Sequence, residues 1–227
     1  MNSSKKSILN SNFTYLAAFV LPVIMMMALY YTRGIFPWGN ECYLRSDMYH
    51  QYAPFFSELW HKIRNGESLT YSWDIGMGTN FTSLFAYYLA SPSNWFVALF
   101  PQKYTIEIMN AFIILKIAGS SLSLTYYLTK HNNNKHVIAA IFGMFYGMSG
   151  FIAAYSWNIM WLDCVILVPL IMLGLERLVN ENRCIFYCIT LGLCIFTNYY
   201  IAIMVCLSVV IYYVVLMIAY NGIKSPM

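Results

Sequence analysis

Asp47 is the acidic residue whose position is best suited to chemistry. It follows the first long apolar stretch by a short segment, residues 34–46, and lies in the sequence Arg45-Ser-Asp-Met-Tyr-His-Gln-Tyr. Carboxylates just outside a bilayer, beside an amphipathic helix and aromatic rings, form a site at which a lipid-linked substrate can meet a water-soluble one. The alternative interpretation of Asp47 is an ordinary solvated loop carboxylate.

Asp74 and Asp163 are two further acidic candidates. Asp74 lies beside Gly76 and Gly78, in a bend whose exposed N–H groups could bind phosphate, or which could be a simple turn. Asp163 stands near the start of a later apolar helix, next to Trp161. There it could hold a substrate, tune Asp47 or cap the helix.

The composition places these residues in a membrane protein. The chain is 60% hydrophobic and only 10% charged, whereas soluble domains carry roughly 25% charged residues. Aromatic residues reach 18%, and Tyr and Trp collect where a bilayer meets water. The net charge of +4 is scattered and not clustered on one face, as nucleic-acid binding requires. A soluble fold and a nucleic-acid partner are therefore excluded.

Apolar block lengths predict an all-α, polytopic transmembrane helix bundle. A helix needs about 20 apolar residues to cross a bilayer. Near the centre of the last and longest block, Thr197-Asn198-Tyr199-Tyr200 interrupts the apolar run, so this block predicts two helices and the chain six. The five blocks cover residues 13–31, 106–128, 137–155, 161–178 and 184–220.

The distribution of Lys and Arg predicts the orientation, because cytoplasmic loops carry an excess of both. The short turns around Asn158 and Asn198 hold neither, so we expect them outside together with the long loop, residues 32–105. Both termini are then cytoplasmic. The segments predicted to be inside hold Lys5, Lys6, Lys130, Lys135, Arg177, Arg183 and Lys224, against only Glu176 and Glu181.

The outer loop is predicted to contain short interfacial helices. Residues 53–64 have apolar side chains at helical spacing, with polar residues on the other side, and Asn65-Gly66 ends the helix. Residues 81–100 are apolar but are broken by Ser91-Pro92-Ser93-Asn94, which leaves two pieces too short to cross the membrane. The apolar stripe of residues 53–64 is Phe55, Phe56, Leu59, Trp60 and Ile63, and the polar side is Glu58, His61, Lys62 and Arg64.

Lys116 is a charged residue near the middle of a predicted span, in Ile-Ile-Leu-Lys-Ile. An ionised group inside a membrane is costly and is by default functional. We expect Lys116 to face the bundle interior and to pair with a polar group from helices that follow this chain.

Ordered motifs cover most of the chain and are together specific. In this order they resemble the bacterial YfhO family. The motifs are Ser46-Asp47 through Gln51-Tyr52-Ala-Pro-Phe-Phe, Tyr71-Ser72-Trp-Asp-Ile-Gly76-Met-Gly78-Thr-Asn80, Tyr87-Tyr88-Leu-Ala-Ser91-Pro92-Ser-Asn94, Ser149-Gly150-Phe through Ala154-Tyr155-Ser156, Asn158-Ile-Met-Trp161-Leu-Asp163, Leu167-Val-Pro169-Leu, Gly174-Leu-Glu176-Arg177-Leu and Phe196-Thr-Asn198-Tyr199-Tyr200.

The resemblance implies a fold similar to that of the polytopic GT-C glycosyltransferases. It also implies sugar transfer from a polyprenyl-phosphate carrier to a cell-envelope polymer, such as teichoic acid, outside the cytoplasm. Family members are much longer, so residues 1–227 are expected to be the N-terminal part of a larger transmembrane domain. The alternative functions are a transporter or lipid flippase, for which a charged path through the bilayer is expected, and a non-catalytic membrane scaffold.

The resemblance also implies roles for individual residues. Similar enzymes place an acidic residue in the first outer loop, which makes Asp47 the base that takes a proton from the acceptor hydroxyl. The lipid phosphate needs a cation, which could be Arg45, His50 or Lys103. The expected substrate-binding residues are Arg45, His50, Gln51, Tyr52, Asp74, Gly76, Gly78, Asn80, Asn158, Asp163, Asn198, Tyr199 and Tyr200.

Two of these assignments leave alternatives open. Asn198, Tyr199 and Tyr200 could line a sugar pocket, or the two tyrosines could anchor the interface. The spacing of His50 and His61 is not a recognised metal-ligand pattern, so no cofactor is predicted, and a divalent metal requirement is left open. The expected partners are the lipid-linked sugar donor, the polymer acceptor and membrane lipids.

The predicted topology can be tested by cysteine labelling from outside the cell. In two single-cysteine variants, one keeping Cys42 and one carrying Asn133→Cys, an impermeant maleimide should modify only Cys42, because residue 133 lies in a predicted inner loop. Outside labelling at position 133 would overturn the topology.

Overall fold

The described part of the protein, in a computed structural model, covers residues 2–133 and 137–224, with side chains over residues 12–133 and 137–219. Lys135, one of the predicted inner charges, lies outside the described residues. The side chains of Lys5, Lys6 and Lys224 are likewise not described.

Within these ranges the chain is mainly helical, which confirms the predicted all-α bundle. Two strands, β1 (Tyr71–Ser72) and β2 (Thr79–Asn80), form a small antiparallel hairpin. The helices are α1 (Asn2–Thr32), α2 (Ala53–Asn65), α3 (Phe81–Leu84), α4 (Thr105–His131), α5 (Val137–Gly147), α6 (Gly150–Tyr155), α7 (Leu162–Glu181), α8 (Ile185–Thr197) and α9 (Tyr199–Lys224). Shorter helical turns are π-helical at Met48–Tyr52 and Phe85–Leu89, and 3-10 at Pro92–Leu99 and Gln102–Tyr104.

Every predicted apolar block is helical, as one helix or two, but the helices differ in their capacity to cross a membrane. α7 has 20 residues but carries Asp163, Glu176 and Arg177. α8 has 13 residues, about 20 Å, which is shorter than the roughly 30 Å hydrocarbon core of a bilayer. Six full spans and their orientation therefore stay predictions. The segments long and apolar enough to cross, among the described residues, are Asn12–Thr32, Gln102–His131, Val137–Tyr155 and Tyr199–Ala219.

α4 lies at the centre of the bundle and packs against α1, α5 and α7. Its buried face carries small hydroxyl residues that bond to neighbouring backbone. The Ser121 hydroxyl donates to the Ala18 carbonyl of α1 at 2.6 Å. The Thr125 hydroxyl contacts the Ala139 carbonyl of α5 at 3.2 Å. Such residues allow membrane helices to approach closely and satisfy polar groups between them.

Two glycines allow α5 to approach α4. A Cβ atom at Gly143 would lie 2.1 Å from the Thr125 hydroxyl and 2.4 Å from the Ser121 carbonyl oxygen. A Cβ atom at Gly147, four residues later, would lie 2.7 Å from the Ile117 carbonyl oxygen. These distances are shorter than van der Waals contact, so no side chain larger than glycine fits at either position. Small residues four positions apart are typical of closely packed membrane helices.

α2 confirms the predicted amphipathic helix in the outer loop. Phe55, Phe56 and Leu59 are buried beneath it, and Gly66 ends it with a left-handed φ of 66°. Two residues of its polar side, Glu58 and Lys62, are nevertheless buried, with side chains only 7% and 4% exposed.

The β1–β2 hairpin covers these two charged residues. The Ser72 hydroxyl donates to Glu58 at 2.6 Å, and the Lys62 ammonium donates to the Tyr71 carbonyl at 2.9 Å. Lys62 also lies 3.4 Å from Glu58 and 3.6 Å from Glu67. A buried charge is tolerated only when it is paired and hydrogen-bonded, and the hairpin supplies the missing partners.

The two predicted breaks are also present. Residues 81–89 and Pro92–Leu99 form separate short helical pieces. The polar interruption of the last block is reduced to Asn198, between α8 and α9. Its side-chain oxygen accepts from the Ile201 amide at 2.9 Å and so caps α9.

The close approach of α5 to α4 generates a stability prediction. Gly143→Ala should destabilise the protein by about 1–3 kcal/mol, because the added methyl group has no space in a packed interface. Thermal unfolding in detergent measures the change. The matched control is Gly192→Ala in α8, where the added Cβ meets no atom within 4 Å beyond its chain neighbours and its own helix backbone; its stability should be unchanged or slightly higher. Equal effects of the two substitutions would contradict the packing.

Candidate functional site

Asp47 lies at the start of a π-helical turn, Met48–Tyr52, that leads into α2. Ser46 before it has a left-handed φ of 48°, and Met48 and Tyr52 point inward and are buried. The Asp47 carboxylate is exposed and forms no capping hydrogen bond. π-helical turns are frequent at functional sites, and this one leaves the carboxylate accessible while its neighbours anchor the turn.

Tyr52 connects this turn to the segment that follows α6. Its hydroxyl donates to the Asn158 side-chain oxygen at 2.9 Å. Its ring stacks on Trp157, with centroids 6.2 Å apart and planes at 10°, and contacts the Tyr88 ring at 5.5 Å. Asn158 is buried, and its side-chain nitrogen has no hydrogen-bond partner among the described residues.

The negative charge of Asp47 acts on both tyrosines. Burial raises the pKa of Tyr52 above its usual range, and Asp47 adds to the rise. Burial also raises the pKa of Tyr88, with Tyr87 and Asp47 contributing and a hydrogen bond to Gln51 acting in the opposite direction. Both hydroxyls therefore remain protonated at neutral pH, and the Tyr52 hydroxyl uses its proton in the hydrogen bond to Asn158.

The α8–α9 junction contacts the same group of aromatic rings. The Asn198 side-chain nitrogen donates to the Tyr87 carbonyl at 3.1 Å. Tyr87 has its ring 4.6 Å from Tyr88, 5.6 Å from Tyr199 and 6.4 Å from Tyr200. The chain of ring contacts continues to Trp161, which lies 6.0 Å from Tyr200. We call these rings the aromatic cluster: Tyr52, Tyr87, Tyr88, Trp157, Trp161, Tyr199 and Tyr200.

The structure thus brings together part of the predicted site. Tyr52, Asn158, Asn198, Tyr199 and Tyr200 meet within or beside the aromatic cluster, and Asp47 and Gln51 lie at its edge. Sequence reasoning assigned no site role to four of the rings, although all four lie in or next to the family-like motifs. These are Tyr87, Tyr88, Trp157 and Trp161.

The hairpin residues lie apart from the aromatic cluster. Asp74 is held by a backbone hydrogen bond to the Ser72 hydroxyl at 3.2 Å. Gly76 and Gly78 have φ values of 60° and 116°, so the bend is a turn that needs glycine. Asn80 caps α3 by accepting from the Ser83 amide at 3.3 Å. No hydrogen bond or ring contact in the described ranges joins these residues to the cluster.

Lys116 is paired inside the chain, so the expectation of a partner from later helices was wrong. Its ammonium donates to the Asp163 carboxylate at 2.6 Å and to the Ile159 carbonyl at 3.2 Å. The Lys116 and Asp163 side chains are 5% and 14% exposed. Asp163 is therefore the counter-ion of Lys116, and the pair holds the turn that carries Asn158 and Trp161.

The three predicted cations are exposed and differ in their surroundings. Arg45 lines a cavity together with Arg33. The His50 ring contacts Tyr49 at 5.2 Å, and Lys103 lies 4.8 Å from the Tyr104 ring. Among the described residues, no three His, Cys, Asp or Glu side chains come together as metal ligands would.

These features define a polytopic membrane protein in which an exposed carboxylate borders a cluster of aromatic rings at one end of the bundle. The chain belongs to the family described as bacterial membrane protein YfhO, whose model matches residues 17–226. No curated protein and no solved structure matches the chain.

The Lys116–Asp163 pair generates a prediction about the stability of the protein. Lys116→Met should lower stability by about 3–5 kcal/mol, because it leaves the Asp163 carboxylate buried without a counter-charge. The combined variant Lys116→Met, Asp163→Leu should recover most of this loss, because apolar groups can replace a buried pair. Thermal unfolding in detergent measures both variants.

A matched control is Arg183→Gln, which breaks an exposed pair with Glu181 at 3.3 Å. Its effect should be less than about 1 kcal/mol. If the double variant is no more stable than Lys116→Met, the loss does not arise from the unpaired carboxylate.

Proposed function

We propose that this protein is a glycosyltransferase that transfers a sugar from a polyprenyl-phosphate carrier to a cell-envelope polymer, such as teichoic acid, outside the cytoplasm. The observation that carries the proposal is the exposed Asp47 carboxylate at the edge of the aromatic cluster. Membership in the YfhO family supports it, and in this proposal the helix bundle is GT-C-like.

In the proposed reaction Asp47 acts as the general base. Its carboxylate takes the proton of the acceptor hydroxyl as that oxygen forms a bond to the anomeric carbon of the sugar. The bond from this carbon to the phosphate oxygen breaks, and the lipid phosphate leaves with the electron pair. The transfer inverts the configuration at the anomeric carbon because base and leaving group lie on opposite faces. Asp47 then releases its proton to water.

The other groups of the site fit binding roles. The Arg45 guanidinium, two residues from Asp47, supports the negative charge of the leaving phosphate. Tyr199 and Tyr200 offer aromatic faces for the sugar ring. The unpartnered side-chain nitrogen of Asn158 is a donor for a sugar hydroxyl, since a buried donor without an acceptor is unfavourable.

A transporter or lipid flippase fits less well. That alternative expects a charged path through the bilayer, and its main sequence support is Lys116. The structure pairs Lys116 with Asp163 at 2.6 Å, so this ammonium is already neutralised within the bundle. Sugar transfer from a radiolabelled lipid carrier in membranes, compared with substrate flux into vesicles, separates the two functions.

Asp47→Asn should lower the rate of sugar transfer roughly 10²–10⁴-fold, because the amide keeps the shape of the side chain but cannot accept the proton. Binding of the donor lipid and thermal stability should change little, since the side chain is exposed and makes no capping hydrogen bond. Radiolabelled transfer in membranes measures the rate.

The control is Glu181→Gln. Glu181 is an exposed carboxylate at the C-terminal end of α7, and this substitution should leave the rate of transfer unchanged. Asp74→Asn and Asp163→Asn should lower the rate of sugar transfer less than Asp47→Asn does, if Asp74 and Asp163 only position substrates or other side chains. Near-normal turnover of Asp47→Asn, together with complete loss in an Asp163→Asn variant that thermal unfolding shows to be folded, would assign the base to Asp163.

A further inference from the structure

A cavity of about 590 Å³ lies between the C-terminal end of α1, the segment 33–45, the middle of α4 and the α5–α6 junction. Pockets that hold small-molecule ligands typically have about 300–1,000 Å³. This space is therefore large enough for a ligand.

One half of the cavity is apolar and lies between helices that are candidate membrane spans. Met26 and Leu29 line it from α1, and Ile117 and Ile152 line it from α4 and α6. Met26 is six residues before the end of α1, about 9 Å along the axis, and Ile117 is 12 residues after the start of α4, about 18 Å. The apolar half thus extends into two candidate spans.

The break between α5 and α6 faces the same space. Val137–Tyr155 is one candidate span, yet its helix is interrupted after Gly147 and resumes at Gly150. Gly147 and Met148 line the cavity. Irregular backbone at membrane depth is tolerated where it is buried in protein or lines a cavity, and broken helices of this kind line binding sites in other membrane proteins.

The other half of the cavity is polar and positively charged. Arg33, Arg45 and Glu41 line it, together with Cys42 and Ser156. Neither guanidinium has an ion-pair or hydrogen-bond partner among the described side chains. Two cations against the single carboxylate leave a net positive charge, which complements an anionic head group joined to an apolar chain.

We propose that this cavity binds the donor lipid, with its phosphate on Arg33 and Arg45 and the first part of its prenyl chain against α1, α4 and the α5–α6 break. The assignment rests on the proposed function, because it identifies the lipid as the sugar donor. Arg33 was not among the substrate-binding residues expected from the sequence. Arginine is suited to this role because its planar guanidinium binds phosphate through two parallel hydrogen bonds.

The cavity shares two walls with the aromatic cluster. On the cavity side, the Tyr43 and Ser156 hydroxyls are hydrogen-bonded at 2.6 Å; on the cluster side, Tyr52 bonds to Asn158 at 2.9 Å. Asp47 lies between Tyr43 and Tyr52 in the chain, two residues after Arg45. A phosphate at Arg45 therefore places the attached sugar toward Asp47 and the cluster.

Cys42 provides a direct probe of occupancy, because it is exposed and lines the polar half. The purified protein, in nanodiscs of zwitterionic lipid, is treated with a maleimide with and without a long-chain polyprenyl monophosphate. We expect the lipid to slow labelling of Cys42 and to leave the exposed Cys184, at the start of α8, unchanged. Free polyprenol, inorganic phosphate and phosphatidylglycerol should each protect Cys42 much less.

Variants then test the contacts. Arg33→Gln and Arg45→Gln should each raise the lipid concentration that gives half-protection roughly 10- to 100-fold, since each removes a charge-assisted hydrogen bond. Ala153→Leu, which adds bulk at the cavity wall, should weaken protection as well. Arg183→Gln, an exposed arginine at the far end of α7, is the matched control and should behave as the wild type.

The cavity assignment is overturned if the polyprenyl monophosphate protects Cys42 in both arginine variants as well as it does in the wild type. It is also overturned if polyprenol, inorganic phosphate or phosphatidylglycerol protects Cys42 as well as the polyprenyl monophosphate does. These results are distinguishable from failure of the proposed function, because protection requires no turnover. Normal sugar transfer without lipid protection would reject the cavity alone. Arginine-dependent protection without any sugar transfer would reject the proposed enzyme while the lipid phosphate site stands.

Discussion

An ammonium group inside an apolar helix bundle must be neutralised, and much of this structure depends on how Lys116 meets that requirement. Its contact with Asp163, at 2.6 Å, joins the centre of α4 to the first turn of α7. Its second hydrogen bond, to the Ile159 carbonyl, fixes the turn between α6 and α7. Because that turn carries Trp157, Asn158 and Trp161, a charge pair in the bundle positions the polar and aromatic groups at its end.

The same constraint operates in the outer loop. Glu58 and Lys62 lie outside the apolar stripe of α2, yet both are buried, because the β1–β2 hairpin folds over them. Their charges are satisfied by each other, by the Ser72 hydroxyl and by the Tyr71 carbonyl. The hairpin is therefore fixed to α2 by polar contacts.

The two regions of the proposed function lie next to these supports. The segments 43–52 and 156–158 contribute residues both to the aromatic cluster, at Tyr52 and Trp157, and to the amphipathic cavity, at Tyr43, Arg45 and Ser156. The turn that carries Asp47 lies between them. A lipid phosphate and a sugar ring have different binding requirements, the first for cations beside apolar chain contacts and the second for aromatic faces and hydrogen-bond donors. In the proposed function the cavity meets the first requirement and the aromatic cluster meets the second.

Much of the helical architecture was determined by the sequence alone. Apolar block lengths located the long helices, because a membrane forces the backbone to satisfy its hydrogen bonds within each segment. The amphipathic stripe of α2, its end at Gly66 and the break at Asn198 followed from local patterns, and the motif order identified the family. Local signals sufficed wherever the deciding interactions lie within one helix or one turn.

Tertiary structure alone decided how the charged and aromatic residues combine. Asp163 is 47 residues from Lys116, and Tyr52 is 106 residues from Asn158, so no spacing along the chain indicated either pair. The burial of Glu58 and Lys62 likewise depends on a hairpin that lies outside their own helix. The cavity beside Arg33 and Arg45 exists only where α1, α4 and the α5–α6 break meet. Long-range packing sets such contacts, because the partner of a buried charge is chosen by proximity in space and not by position in the sequence.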